Sequence, residues 1–271
     1  NPEAEITPTP IPEDTGIFSY AIFAGSMVTD LRFSGWKSDI TGDIYSGKDF
    51  VYQGSELYVN GYAKTVGTVQ PAECIATMSG ADENITPLEM PDWGDKILAK
   101  ADLMTTMEDD VFTSQNDIIA DGFYYTEGSL SISSATFSGD VVIVANGDIT
   151  LNVDTIINNG RILLYSETGN ITVNGTQVEL SGVVYAPNGR ITLNAYDMTI
   201  NGRVVADEFS YSGSILKIIA DDADLQLFEE LPEVTINASA QQVSVGDSAY
   251  FHITLPEETP YEINFRLNGE A

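Results

Sequence analysis

Apolar and polar positions along this chain follow a short period over residues 139–207. Gly139-Asp140-Val141-Val142-Ile143-Val144, Gly160-Arg161-Ile162-Leu163-Leu164-Tyr165, Ser181-Gly182-Val183-Val184-Tyr185-Ala186 and Gly202-Arg203-Val204-Val205-Ala206-Asp207 recur at steps of about 21 residues, a period that signals a solenoid. A second motif runs inside the first. Gly147-Asp148-Ile149-Thr150-Leu151-Asn152, Gly169-Asn170-Ile171-Thr172-Val173-Asn174 and Gly189-Arg190-Ile191-Thr192-Leu193-Asn194 each place a turn glycine before apolar–polar alternation, the pattern of a half-buried strand. A looser third strand, as in 177–180 and 197–200, closes each period. Strands this short leave no room for a helix between them, so the pattern predicts a parallel β-helix whose coils of about 20 residues pair at roughly 4.8 Å, each with the next.

Outside this block the pattern varies. Residues 1–15 are rich in Pro, Glu and Thr without periodicity, as in a solvated linker. An apolar stretch at 17–29 and Gly-spaced, Tyr-rich segments over 40–67 read as irregular coils, with Asn60-Gly61 as a tight-turn pair. Residues 70–90, punctuated by Pro71 and Pro87, read as a loop. Residues 91–110 switch to helical spacing: Trp93, Ile97, Ala101, Met104 and Met107 fall on one side, which predicts one amphipathic α-helix lying along the flank of the coils. Coils resume at 122 and end near 220; 221–232 reads as a linker. Residues 233–271 alternate with period two around Gly246-Asp247, as an antiparallel pair would. The expected organisation is therefore linker, solenoid over 16–220 with an inserted helix at 91–110, linker, and a short antiparallel β segment.

Composition narrows the function. Forty-one acidic residues against 11 basic ones give a net charge of −30; such a polyanion is repelled by nucleic acid and anionic lipid. No apolar run approaches a membrane span, so no membrane insertion is expected. Cys74 is the single cysteine and allows no disulfide within the chain. Asn1 is not an initiator methionine, so the chain is expected to be part of a longer protein.

Taken together, coils, a loop, one helix and more coils resemble the ice-binding-like right-handed β-helix family. Phe23-Ala24-Gly25-Ser26-Met27-Val28-Thr29 and Ile40-Thr41-Gly42-Asp43-Ile44 are similar to that family's opening. Gly182-Val183-Val184-Tyr185-Ala186-Pro187-Asn188-Gly189 looks still more like the solenoid modules of large cell-surface proteins of Gram-positive, clostridia-like bacteria. There, such coils precede immunoglobulin-like modules, which is how the resemblance reads residues 233–271. It implies a right-handed parallel β-helix and an extracellular setting, and assigns no activity.

Several side-chain sets are candidates for sites. Polysaccharide-cleaving β-helices gather carboxylates on one face of successive coils, whereas here Asp148 is followed by Asn170 and then Arg190. Asp154, Asp197, Asp207 and Glu208 are scattered, His252 lies outside the solenoid, and Cys74 has no partner motif, so no catalytic residue is expected. Ser131, Thr150, Thr172 and Thr192 are expected to stack on one face if Ile149, Ile171 and Ile191 point inward, with Asn152, Asn174 and Asn194 as a neighbouring file. Calcium is the one cofactor left open, with Asp221, Asp222 and Asp224, and Glu108-Asp109-Asp110, as hard oxygen donors. Tyr45, Tyr52, Tyr58, Tyr62, Tyr124 and Tyr125 offer rings for packing or for sugars. Arg161, Arg190 and Arg203 recur at coil starts and would disturb a flat hydration layer on a shared face. The sequence reads best as a non-catalytic structural or adhesive module, secreted or attached to a cell surface, with a protein or glycan partner. An ice-binding Thr/Asn face and a carbohydrate-binding β-helix are the alternatives.

Overall fold

A computed structural model describes residues 16–90, 94–108, 112–153, 155–157, 160–220, 235–238 and 251–254. Its main body is a parallel β-solenoid with three faces, here A, B and C. Face A consists of Tyr20–Ala24, Asp43–Ser46, 63–65, 80–83, Thr105–Thr106, Gly122–Thr126, Val141–Ala145, Ile162–Ser166 and two stretches, 182–186 and 204–206, of the continuous strand Ile171–Tyr211. Face B includes Leu130–Ile132, Ile149–Asn152, 171–174, 191–194, 210–211, Leu31–Phe33, Phe50–Tyr52 and Val69–Gln70. Face C includes Thr113–Ile119, Ser134–Phe137, Thr155–Ile157, 177–180, 197–201, Ile215–Ile219, Lys37–Thr41 and 56–60.

The coils do not stack in chain order. The N-terminal strand Tyr20–Ala24 pairs in parallel with 204–206, through Ile22 with Val204 and Ala24 with Ala206. Lys37–Thr41 likewise pairs with Ile215–Ile219. Face A thus runs from Thr105–Thr106 through the C-terminal coils to 204–206, then continues from Tyr20–Ala24 to 80–83. The expectation that each coil pairs with the next fails at this seam. Ten rungs make the ladder about 43 Å long at the usual strand spacing, and residues 84–90 and 94–104 form a return segment along it.

That return segment explains why face A is apolar on both sides. Val141–Ala145 and Ile162–Ser166 are buried at every position, as in sheets covered on both faces. Ile143, Leu164, Val184, Val204, Ile22 and Ile44 point into the solenoid core. Val142, Val144, Leu163, Tyr165, Val183, Val205 and Phe23 point outward and form a second core with Ile17, Phe18, Ile97 and Met104; Ile85, Met90 and Leu98 pack against it.

The helix is far shorter than the spacing predicts. Among the described residues only Gly94–Leu98 is α-helical, followed by a 3-10 turn at Ala101–Leu103. Ile97 and Met104 are buried on the flank as expected, but Met107 is buried inside the solenoid. One apolar period therefore serves two surfaces, and the β-branched pair Thr105–Thr106 leaves the helix to pair with Tyr124 and Tyr125, tertiary pairing overriding a weak local preference. Trp93 lies outside the described residues.

Three further expectations need correction. Residues 70–90 are not simply a loop: a 3-10 helix at Ala72–Thr77 leads into Met78–Glu83, which pairs with 59–65 as a further rung. The repeat also slips once, since Ile162 pairs with Gly182, not Val183. Gly182 has φ +135°, and a Cβ there would lie 2.1 Å from the Ile162 carbonyl oxygen. That corner demands glycine and sets the register. Asn60-Gly61, read as a tight-turn pair, lies within one strand, Glu56–Thr65, where the chain passes from face C to face A. The short antiparallel segment is present as Thr235–Ala238 paired with Phe251–Thr254; Gly246 and Asp247 lie outside the described residues.

Candidate functional site

Face B carries the most regular exposed surface. Ile149, Leu151, Ile171, Val173, Ile191 and Leu193 are fully buried, so the alternate residues face outward. Ser131 pairs with Thr150, and Thr150 with Thr172; Thr192 follows one coil on, and Ser210 donates to its hydroxyl at 3.5 Å. Beside this file, the Asn174 amide donates to Asn152 Oδ1 at 2.7 Å, and the Asn194 amide to Asn174 Oδ1 at 3.0 Å. All seven residues expected on this face lie on it. Ser210 was missed because Phe209-Ser210-Tyr211 lacks the Gly-x-Ile-Thr motif. Beyond Ser210 the file meets Arg32 and then Val51, which end the hydroxyl array.

The leading edge of face B holds Asp148, Asn170 and Arg190, and its chemistry is structural. Asp148 Oδ1 accepts the Asn170 N–H at 2.6 Å, and Asn170 Oδ1 accepts the Arg190 N–H at 2.9 Å. Elsewhere Asp121, Asp140, Asp43 and Asp49 accept an N–H from the next coil in the same way, at 2.7 to 2.8 Å. These carboxylates cap strand starts that have no backbone partner at the turn.

The coil-start arginines Arg161, Arg190 and Arg203 do not share the hydroxyl file. Arg161 forks onto Asp140, with Nε 3.0 Å from Oδ2, and that hydrogen-bonded guanidinium holds the Asp140 carboxyl below its ordinary range. Arg203 is buried. Arg190 Nε donates to Glu208 at 2.7 Å. Burial pushes Glu208 up, but the Thr29 hydroxyl and Arg190 more than reverse it. Asp207, next to it, is raised by burial and then by the Glu208 charge. These two acids, with Asn170, Asn188, Gly189 and Arg190, line a shallow polar niche at the corner between faces A and B.

The other candidates fall apart spatially. Tyr45 and Tyr52 are buried, Tyr124 and Tyr125 half-buried, Tyr58 and Tyr62 exposed. Cys74 is half-buried, and burial raises its thiol above the usual range, which suppresses the nucleophilic thiolate. Asp109, Asp110, Asp154, Asp221, Asp222, Asp224 and the side chain of His252 lie outside the described residues. Among the described residues no group of three or more His, Cys, Asp or Glu converges, and no helix is long and apolar enough to cross a membrane.

The described residues form a parallel β-solenoid whose face A is covered on its outer side and whose face B presents an exposed hydroxyl and amide ladder. Residues 79–181 match the family described as a domain of unknown function, DUF7305. Among solved structures, the chain is similar to an ice binding protein from an Antarctic bacterium, Flavobacteriaceae, at 17% identity and a TM-score of 0.49, covering 81% of this chain and 50% of that one. It thus spans about half the length of that protein. It is also similar to an ice-binding protein from the Antarctic ascomycete Antarctomyces psychrotrophicus, at 15% identity and a TM-score of 0.34, covering 76% of this chain and 97% of that one. No curated protein matches.

Proposed function

We propose that the protein is a non-catalytic structural and adhesive module of a secreted or cell-surface protein, with face B as its contact surface. The carrying observation is the file Ser131, Thr150, Thr172, Thr192 and Ser210, stiffened laterally by the Asn152, Asn174, Asn194 ladder. A rigid ladder of hydroxyls and amides loses little conformational freedom when a partner lies on it. The antiparallel C-terminal pair supports a following immunoglobulin-like module, and the charge of −30 suits a highly solvated setting outside the cell. Retention of the protein on immobilised peptidoglycan, collagen and fibronectin tests this reading. At least one surface should retain the wild type, and Thr172→Lys should weaken retention tenfold or more without lowering Tm. Retention by none, or site-dependent turnover of any polysaccharide or ester, contradicts it.

One observation favours a second reading, ice binding. The hydroxyl file repeats at the strand spacing of roughly 4.8 Å over five rungs, and a flat periodic hydroxyl array can order water. Under the adhesive reading, a single ice crystal in micromolar wild-type protein grows unshaped. Shaping that Thr172→Lys abolishes would establish ice binding in its place.

A further inference from the structure

The stacking order creates a second exposed file, at the corner between faces B and C. Asp197 pairs with Ile215, Ile215 with Lys37 and Lys37 with Glu56. The residues just before them, Tyr196, Ser214, Trp36 and Ser55, therefore sit one above another on four successive coils. Backbone bonds fix this alignment: Ser214 N–H to the Tyr196 carbonyl at 3.1 Å, Lys37 N–H to the Ser214 carbonyl at 2.8 Å, and Ser55 N–H to the Trp36 carbonyl at 3.0 Å. Aromatic and hydroxyl side chains alternate along the corner. Tyr196 is 66% exposed and Trp36 54%, although rings of this size usually bury most of their area.

The backbone beneath is rigid. A Cβ at Gly213 would lie 2.0 Å from the Ala195 carbonyl oxygen, one at Gly35 2.3 Å from the Tyr211 ring, and one at Gly54 2.0 Å from the Gly35 carbonyl oxygen. Glycines thus draw the coils together at this corner over the buried rings of Tyr211 and Tyr52. Tyr58, 52% exposed, lies on the Ser55 coil with Lys37 Nζ 5.6 Å from its ring centroid.

Trp36 and Tyr196 are two rungs apart, roughly 10 Å, the length of two pyranose units in an extended β-linked chain. Alternate sugars of such a chain present the same face, and the C–H face of a pyranose stacks on an aromatic ring, whose apolar body suits it. Ser214, between the rings, is placed to hydrogen-bond the intervening sugar. The net charge of −30 repels anionic polysaccharides and leaves neutral ones. We infer that the B–C corner binds a neutral, extended β-1,4-linked glycan, with alternate sugars stacked on Tyr196 and Trp36. This goes beyond the face B reading and holds whether or not face B has a partner.

Calorimetric titration of the full chain with cellohexaose and with chitohexaose, alongside tryptophan fluorescence, tests the inference. One of the two should bind saturably and perturb the fluorescence, which identifies the sugar; maltohexaose, which is α-linked and coiled, should not bind. Trp36→Ala and Tyr196→Ala should each weaken binding at least tenfold with an unchanged circular dichroism spectrum, and Trp36→Phe should recover most of the loss. Tyr62→Ala and Thr172→Lys should leave it intact. Absence of binding to either β-linked oligosaccharide at millimolar concentration overturns the inference, as does binding that survives Trp36→Ala and Tyr196→Ala. Loss in Thr172→Lys with retention in Trp36→Ala would move the glycan to face B, supporting that surface and overturning the corner.

Discussion

Asp207 and Asp140 show how differently the acids of this chain are used. Asp140 accepts both the backbone N–H and the guanidinium of Arg161, whereas Asp207 is half-buried beside Glu208 and raised by both burial and that charge. A folded-state pKa above the unfolded value means the native state binds the proton more tightly. Stability from Asp207 therefore rises as pH falls through its raised folded pKa, and the gain is complete below the unfolded value. Asp207→Asn should raise Tm at pH 7, and the advantage should fade by about pH 4, near the unfolded Asp value; an equal or lower Tm at pH 7 would contradict this. For Asp140 the sign reverses, because its folded pKa is depressed. Its contribution is present above the unfolded value and lost as pH falls through the folded one, so Asp140→Asn should lower Tm at pH 7. The acidity was legible as composition, but its capping role was not, since the N–H that each Asp receives lies one coil away, 19 to 22 residues on.

At the scale of elements, periodicity carried the strands and failed at the helix. The alternation in Ile149–Asn152 correctly gave a half-exposed strand, whereas the repeat alone did not show that the apolar run in Val141–Ala145 is covered on both sides. The apolar spacing over 91–110 misled because Ile97 and Met104 serve the flank while Met107 serves the interior. Ile97→Asp would put an unpaired charge into the flank cluster at a cost of several kcal/mol, and thermal melting should register a drop of roughly 10 °C. Melting together with the wild type would mean that the return segment is not docked. Gly182→Ala forces a side chain into φ +135° and onto the Ile162 carbonyl. Urea denaturation should show a loss of about 3 kcal/mol or more; a change within about 0.5 kcal/mol would contradict the tight corner.

At the scale of the molecule, the seam between the last coil and the first decides which surfaces exist. The hydroxyl file ends where Ser210 meets Arg32, and Trp36 joins Tyr196 only because Lys37 follows Ile215 in the stack. This order was hidden in the sequence because every coil offers its neighbour the same edge. The seven face B residues were legible because their repeat is local, whereas Trp36 and Tyr196 are 160 positions apart and share no motif. Ser210 and Arg32 point outward from directly paired strands, within about 5 Å of each other, so the seam can be probed from solution. In a Cys74→Ser background, Ser210→Cys with Arg32→Cys should react with dibromobimane to give one fluorescent, monomeric, internally cross-linked product. The same thiols carried on separate chains should give none. No cross-link in the folded double variant would contradict the stacking order, and with it the B–C corner and the boundary of face B.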